Sequence, residues 1–190
     1  MRLRLPKRAD FAAWQNVRSA SRPFLTPFEP KWNDYELTRN SFVKRVKISA
    51  DRAGKIVEFS LFIFTLQKNN NRVKETFVGG VTLSNIRYGA AYHANIGYWL
   101  GEEQTGKGYM NRAVALVLPF AFGALKLRRI HAACLPDNDR SKNVLIKNGF
   151  QKEGFAPKYL QINGEMRDHL LFGITKDQFA TIKRESSKSL

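Results

Sequence analysis

Apolar positions along this chain change period several times, and each change marks an element. Arg2 to Leu5 alternates basic and apolar residues, which predicts a short first strand. Phe11, Trp14, Val17 and Arg18 recur at helical spacing behind Asp10, a residue type that caps helices. Ser21 to Trp32 contains Pro23, Pro27 and Pro30 and is expected to be an ordered loop, since proline lacks a helical N–H donor. Its Phe24, Leu25, Phe28 and Trp32 suit either a plug on the core or one wall of a substrate cleft. A second helix is expected from Asn33 or Asp34 to the Asp51–Gly54 region. Leu37, Phe42, Val43, Val46 and Ile48 supply a partial apolar stripe, and Arg39, Lys44, Arg45 and Lys47 a basic face. Lys55 to Leu66 is rich in β-branched and aromatic residues and reads as a strand. Gln67 to Lys74 is the expected hairpin loop and Thr76 to Ile86 the returning strand, with a bulge suggested at Gly79-Gly80. Tyr92 to Leu100 pairs next.

From Met110 the pattern is apolar almost all round, through Ala113, Val114, Leu116, Val117, Leu118, Phe120 and Ala121. Such a helix is buried against a sheet, and Pro119 should kink it or end it early. Arg129 to Leu135 is a strand that puts His131 and Cys134 on opposite faces, both read as structural. Asn138 or Asp139 caps a short helix that ends at Gly149, the expected left-handed residue. Gln151 to Gln161 and Glu165 to Ile174 form a hairpin around Asn163-Gly164, a strong two-residue turn signal. Thr175 to Arg184 closes as a helix, and Glu185 to Leu190 as a frayed tail. No repeat or linker interrupts residues 1–190, which predicts a single α+β domain with a mixed, mostly antiparallel sheet flanked by helices.

Between the fourth predicted strand, Tyr92–Leu100, and the buried helix lies Gly-Glu-Glu-Gln-Thr-Gly-Lys-Gly-Tyr-Met, residues 101–110. A strand, a glycine-rich turn and a helix start make an anion site, because the first N–H groups of a helix lack partners and carry its positive dipole end. Gly106 and Gly108 leave the backbone accessible, and Lys107 adds a charge. The alternative is a tight turn that needs glycine only for its dihedral angles. A dinucleotide fingerprint would need a third glycine, and a P-loop would need Ser or Thr after Gly-Lys; neither is present.

Charge changes the picture of partners. The chain has 32 Lys and Arg against 16 Asp and Glu, a net +16. That implies an anionic partner such as a nucleotide cofactor or nucleic acid. One cysteine excludes a disulfide framework and a cysteine-built zinc site, so no metal is expected. The start of the chain lacks a signal-peptide h-region, and Ala113 to Leu125 is too short for a bilayer. A cytoplasmic protein without membrane contact is expected.

Several motifs taken together resemble the GNAT N-acetyltransferases, and among them the ribosomal-protein-alanine N-acetyltransferase group. They are Gly80-Val-Thr-Leu-Ser-Asn-Ile86, Asn95-Ile-Gly-Tyr-Trp-Leu100, Thr105-Gly-Lys-Gly-Tyr-Met110, Asp137-Asn-Asp-Arg-Ser141, Lys147-Asn-Gly-Phe150, Asn163-Gly-Glu-Met-Arg-Asp168 and Leu25-Thr-Pro-Phe-Glu-Pro30. The resemblance spans most of the chain and is densest from Gly79 to Gly173. One departure is that Glu103 stands where the superfamily signature has Gln or Arg, with Gln104 beside it.

The resemblance implies transfer of an acetyl group from acetyl-CoA to an amine. It implies that the pyrophosphate rests on the N–H groups of Gln104, Thr105, Gly106, Lys107 and Gly108, leading into Tyr109 and Met110. The pantetheine arm would lie along Trp99 and Leu100, and Asn138 and Asn143 would touch the cofactor. Ser141 is the implied proton donor to the leaving thiolate, its alternative role being a helix-cap hydroxyl. Phe28 and Trp32 would face the acceptor. No base carries over: a related enzyme's glutamate falls at Leu160 here. Glu102, Glu103, His93, Glu153 and Asp168 remain open by chemistry, as does an ordered water. The implied acceptor is the N-terminal alanine of a ribosomal protein, presented on ribosomal particles where RNA phosphates meet the basic surface. The alternatives are a small-molecule amine, or a non-enzymatic RNA-binding module.

Overall fold

The computed structural model of the protein describes residues 1–69 and 72–188. Seven strands form one sheet: β1 (Arg2–Arg4), β2 (Phe59–Asn69), β3 (Arg72–Arg87), β4 (His93–Leu100), β5 (Arg129–Cys134), β6 (Gln151–Ile162) and β7 (Glu165–Thr175). Their order is β1-β2-β3-β4-β5-β7-β6. Every pairing is antiparallel except β4 with β5, which is parallel. Helices are α1 (Phe11–Ala20), α2 (Arg22–Leu25), α3 (Arg39–Gly54), α4 (Tyr109–Pro119), α5 (Asp139–Lys147) and α6 (Lys176–Lys188).

Alternation along β2 separates two cores. Phe62 and Phe64 join Trp14, Phe42 and Phe77 in an aromatic cluster under α1 and α3. Ile63 faces the other way, into the larger core of Val78, Val81, Ile96, Val114, Val117, Ile130 and Ile174. α4 lies on that second face because it is apolar on every side that the sheet covers.

Four sequence expectations are corrected. The proline-rich stretch 21–32 is not all loop, since α2 and a 3₁₀ turn at Thr26–Phe28 lie inside it. Pro23 and Pro27 each sit in a first turn, where the missing N–H costs nothing. α3 starts at Arg39 rather than at Asn33, because Thr38 caps it by accepting from Ser41 N (3.3 Å), while Asn33 Oδ1 accepts from Tyr35 N and closes a local turn instead. The β2–β3 hairpin is longer than its polar residues suggest, with Gln67 opposite Lys74 and Asn69 opposite Arg72. Residues 70 and 71 of the expected loop lie outside the described residues. α6 runs through Lys188, so most of the expected frayed tail is helix; residues 189 and 190 lie outside the described residues. As expected, Pro119 ends the α-helix proper. The chain continues through Phe120–Ala124 as a π-turn, with Leu125 N bonded to Phe120 O (3.0 Å), one residue further than an α-helical bond.

The expected bulge is present. Ile63 pairs with Gly79 but Phe64 with Phe77, so Val78 is the extra residue. Its carbonyl accepts from Gly101 N (3.0 Å) and thereby fixes the end of β4. A Cβ on Gly79 would lie 2.2 Å from Trp99 O, and one on Gly80 2.8 Å from Trp99 Nε1. The two glycines are therefore the space into which β4 and the Trp99 indole close.

Candidate active site

β4 and β5 hold together over only three pairs, His93–Arg129, Ala94–Ile130 and Asn95–His131. Beyond Asn95 they separate, β4 following β3 to Leu100 and β5 following β7 to Cys134. The gap opens a cleft of about 350 Å³, lined by Tyr98, Trp99, Leu100, the glycine turn, α5, and Phe24 and Phe28 from the N-terminal segment.

At one end lies the glycine turn. Glu102 N donates to Ser21 Oγ (2.9 Å), which ties the turn to the end of α1. Gly106 and Gly108 have φ of +74° and +73°, a region that disfavours any residue with a Cβ. Gln104 N and Thr105 N already donate to Gly101 O (2.9 Å) and Glu102 O (3.1 Å). The N–H cradle is therefore shorter than the sequence suggests. Gly106, Lys107, Gly108 and the first turn of α4, Tyr109 to Asn111, keep N–H groups without a partner among the described residues. Gln104 and Lys107 are not among the residues that line the cleft, and Lys107 Nζ donates to Gln104 Oε1 at 3.4 Å. A pyrophosphate fits the remaining cradle, because a Cβ at either glycine would stand in the open space it borders.

Across the gap stands Ser141. Asn138 caps α5, its Oδ1 accepting from Ser141 N at 3.0 Å, so the hydroxyl of Ser141 is not the cap. Ser141 Oγ instead lies 3.1 Å from the Tyr98 hydroxyl, which also donates to Ser141 O at 3.2 Å. Burial pushes the Tyr98 phenol well above its ordinary pKa, against the opposing effect of its bond to Ser141, so Tyr98 stays a neutral hydrogen-bond partner. Asn138 and Asn143 line the same cleft, as do Arg140 and Lys147, which supply cations the sequence reading passed over. Cys134 is buried, and its thiol pKa is raised by that burial.

A second cavity, of about 420 Å³, lies on the α1–α3 side of β4. Trp14, Arg18, Trp32, Glu36, Arg45 and Thr82 are among its walls. Glu29, Tyr98 and Trp99 line both cavities and so mark where they meet. The two residues expected to face the acceptor are thus divided: Phe28 lines the first cavity and Trp32 the second.

None of the sequence-stated base candidates lines either cavity. Glu102 and Glu103 are exposed on the 3₁₀ turn before the glycines. Glu153 pairs with Arg129, and His93 stacks edge-on against His131 (5.1 Å) at the far end of β4. Asp168 accepts from Lys158 N at 2.8 Å. The carboxylate that stands at the junction is Glu29, which the sequence shows only as one residue of the Leu25–Pro30 motif. A signal existed: Arg18 shares the apolar face of α1 with Phe11 and Trp14, and a cation in an apolar stripe needs a buried partner. Among the described residues no group of three or more His, Cys, Asp or Glu is placed to hold a metal ion. Nor is any helix there long and apolar enough to cross a membrane.

Comparison with known proteins gives this architecture its relatives. Residues 1–151 match the family model described as acetyltransferase (GNAT) domain. The chain is 38% identical over 158 residues to a Bacillus subtilis (strain 168) protein described as probable N-acetyltransferase YjcK, covering 83% of this chain and 84% of that one. It is 31% identical over 172 residues to the ribosomal protein uS5-alanine N-acetyltransferase of Escherichia coli (strain K12), covering 87% and 84%. The solved structure of Mycobacterium smegmatis RimJ in complex with CoA-disulfide superposes with a TM-score of 0.84 at 33% identity, over 93% of this chain and 82% of that one.

Proposed function

The chain belongs to the GNAT acetyltransferase family and is an acetyl-CoA-dependent N-acetyltransferase, and from that premise we propose that its acceptor is the N-terminal α-amine of a ribosomal protein, with alanine first. The observation that carries the proposal is the second cavity, which meets the cofactor cleft at Glu29, Tyr98 and Trp99 and leaves room for a short chain end. The relative that acts on ribosomal protein uS5 aligns over nearly the whole chain and supports the same acceptor class.

When bound, acetyl-CoA supplies the acetyl thioester. The free N–H groups of Gly106, Lys107, Gly108 and the first turn of α4 would hold its pyrophosphate, where the helix dipole favours negative charge. Arg140 and Lys147 add charge of the right sign along the same cleft. Trp99 and Leu100 would present the backbone of β4 on the side where β5 has left it. Ser141 Oγ holds a proton in the gap, and the hydroxyl of Tyr98 beside it can hold or replace that proton. An α-amine has a pKa of about 8, so a fraction is neutral at pH 7 and water suffices to accept its proton.

The basic surface bears on how the acceptor is presented. Lys44 and Lys47 stand exposed on α3. They would repel a free basic protein but attract one lying beside ribosomal RNA. The cytoplasm is the compartment this reading requires. The test incubates the protein with labelled acetyl-CoA and pre-ribosomal particles and identifies the labelled residue. Label on an N-terminal alanine is the expected outcome, and label confined to lysine side chains or to small amines sinks the proposal.

A further inference from the structure

Glu29 is held more tightly than any other carboxylate that lines a cavity. Its Oε1 accepts from Arg18 Nη1 at 2.7 Å, and its Oε2 from Arg18 Nη2 at 2.8 Å and Trp32 Nε1 at 2.8 Å. Its backbone carbonyl accepts from Asn163 N (2.8 Å) at the tip of the β6–β7 hairpin. Arg18 is itself fixed, lying 4.1 Å over the ring of Trp32 and 4.7 Å over that of Trp99. Its side chain is 8% exposed.

Such a pair is not explained by stability. Two charges withdrawn from water gain little over an apolar pair of the same size, because desolvation offsets their attraction. What the arrangement does provide is a carboxylate of fixed position and orientation at the one place where both cavities meet. A carboxylate can accept about four hydrogen bonds, two at each oxygen. Oε2 is filled by two donors, while Oε1 has one and keeps a second lone pair.

We propose that this lone pair on Glu29 Oε1 receives the acceptor, taking one N–H of its ammonium or amine at the junction of the two cavities, and that Arg18 is the positioning residue that aims it. The ligand class is a primary amine that is cationic at neutral pH. The cationic form gives Oε1 a charge-assisted hydrogen bond, stronger than the one a neutral amine would give. The binding step moves no proton to Glu29. The amine loses its proton to water, and Ser141 remains the proton source on the other side of the gap. The inference rests on the acceptor reading above and adds the group that recognises it.

The experiment measures initial rates with acetyl-CoA and an Ala-initiated hexapeptide amide, alongside the melting shift produced by acetyl-CoA alone. Glu29→Gln should raise KM for the peptide at least tenfold and leave the acetyl-CoA shift intact. Glu29→Asp, which keeps the charge, should recover part of that loss. Glu29→Gln leaves the buried Arg18 with only Glu36, 3.9 Å from its Nη2, as a carboxylate partner and lowers stability on that account, so the double variant Arg18→Met/Glu29→Gln serves as the folded control. It removes both charges and should show the same rise in KM. A KM within twofold of wild type in either Gln-bearing protein overturns the inference alone. A wild-type protein that shows the acetyl-CoA shift yet labels no α-amine overturns the acceptor reading, and this inference with it.

Discussion

Gly108→Ala separates what the glycine turn does for folding from what it does for acetyl-CoA. Gly108 caps α4 at φ +73°, and a Cβ built there meets nothing within 4 Å. The cost to the free protein is therefore conformational only, about 1–2 kcal/mol for a non-glycine residue in the left-handed region. For a chain of this size that lowers Tm by roughly 2–8 °C, at about 2–4 °C per kcal/mol. The same methyl group enters the cradle whose N–H groups would face the pyrophosphate. At about 100 times Kd, acetyl-CoA stabilises the wild-type protein by about 2.7 kcal/mol, a shift of roughly 5–10 °C. A tenfold loss of affinity at the same concentration leaves about 1.4 kcal/mol, or roughly 3–6 °C. The assay is a pair of melting curves, with and without acetyl-CoA, for each protein. Two numbers must move together: the free protein melts lower, and the ligand-induced shift is about halved. A variant with lower Tm but a full acetyl-CoA shift would refute the cradle and leave Gly108 a turn residue only.

Ser141→Ala should lower kcat by about 10²-fold with little loss of stability, whereas Asn138→Ala, which deletes the cap on α5, should cost about 1 kcal/mol of stability; the reverse pattern in kinetics and melting curves would remove Ser141 from the chemistry. Cys134 is buried and its thiol pKa is raised by that burial, so at pH 8 it should resist iodoacetamide in the folded protein and react on unfolding in guanidinium; rapid labelling of the native protein would contradict its placement. Asp10 is partly desolvated, which raises its pKa, but two bonds from Arg4 and one from Lys7 N outweigh this and hold it below the ordinary value. Its contribution is therefore present above about pH 4 and lost as pH falls through the lowered pKa, so wild type and Asp10→Asn should converge in Tm toward pH 2. Acetylation of ribosomal particles should slow steeply between about 50 and 200 mM salt, while that of a free peptide should change little; equal salt slopes would exclude docking through RNA.

The elements with a strong local cause were legible in the sequence. Asn163 and Gly164 turn the last hairpin at φ +47° and +91°, and Gly149 ends α5 at +84°, each as its residue type demands. Gly106, Gly108, Asn138 and Ser141 converge on one cleft as expected. What was not legible depended on distant neighbours. The helical turns among Pro23 and Pro27 are held by Phe24 against Phe28 (6.3 Å) and Arg140 over Phe24 (5.2 Å), contacts no local window reveals. The polar ends of β2 and β3 are strand because their backbones pair, with Leu66 and Val73 left exposed. Gly79 and Gly80 signalled a bulge, but not the indole of Trp99 that needs their space. Glu29 was hidden because its meaning comes from Arg18, Trp32 and two cavities, only the first of which carried any mark in the sequence.

The short contact between β4 and β5 has a consequence for how the chain folds. β2 to β4 are joined by antiparallel neighbours close in sequence, and β6 with β7 likewise, whereas β1 meets β2 and β5 meets β7 only across long connections. The two halves meet only at His93–Asn95 with Arg129–His131, after a crossover through α4. Hairpins close early, and pairings across a long connection close later, because the longer loop loses more chain entropy. The junction is held by three parallel pairs after such a connection, so it is a seam at which the sheet can part. The cleft sits on that junction, so amides of Ile96 to Leu100 should exchange with solvent sooner than those of β3, and a ligand bridging the glycine turn and α5 should slow them by fastening the two sides of the seam.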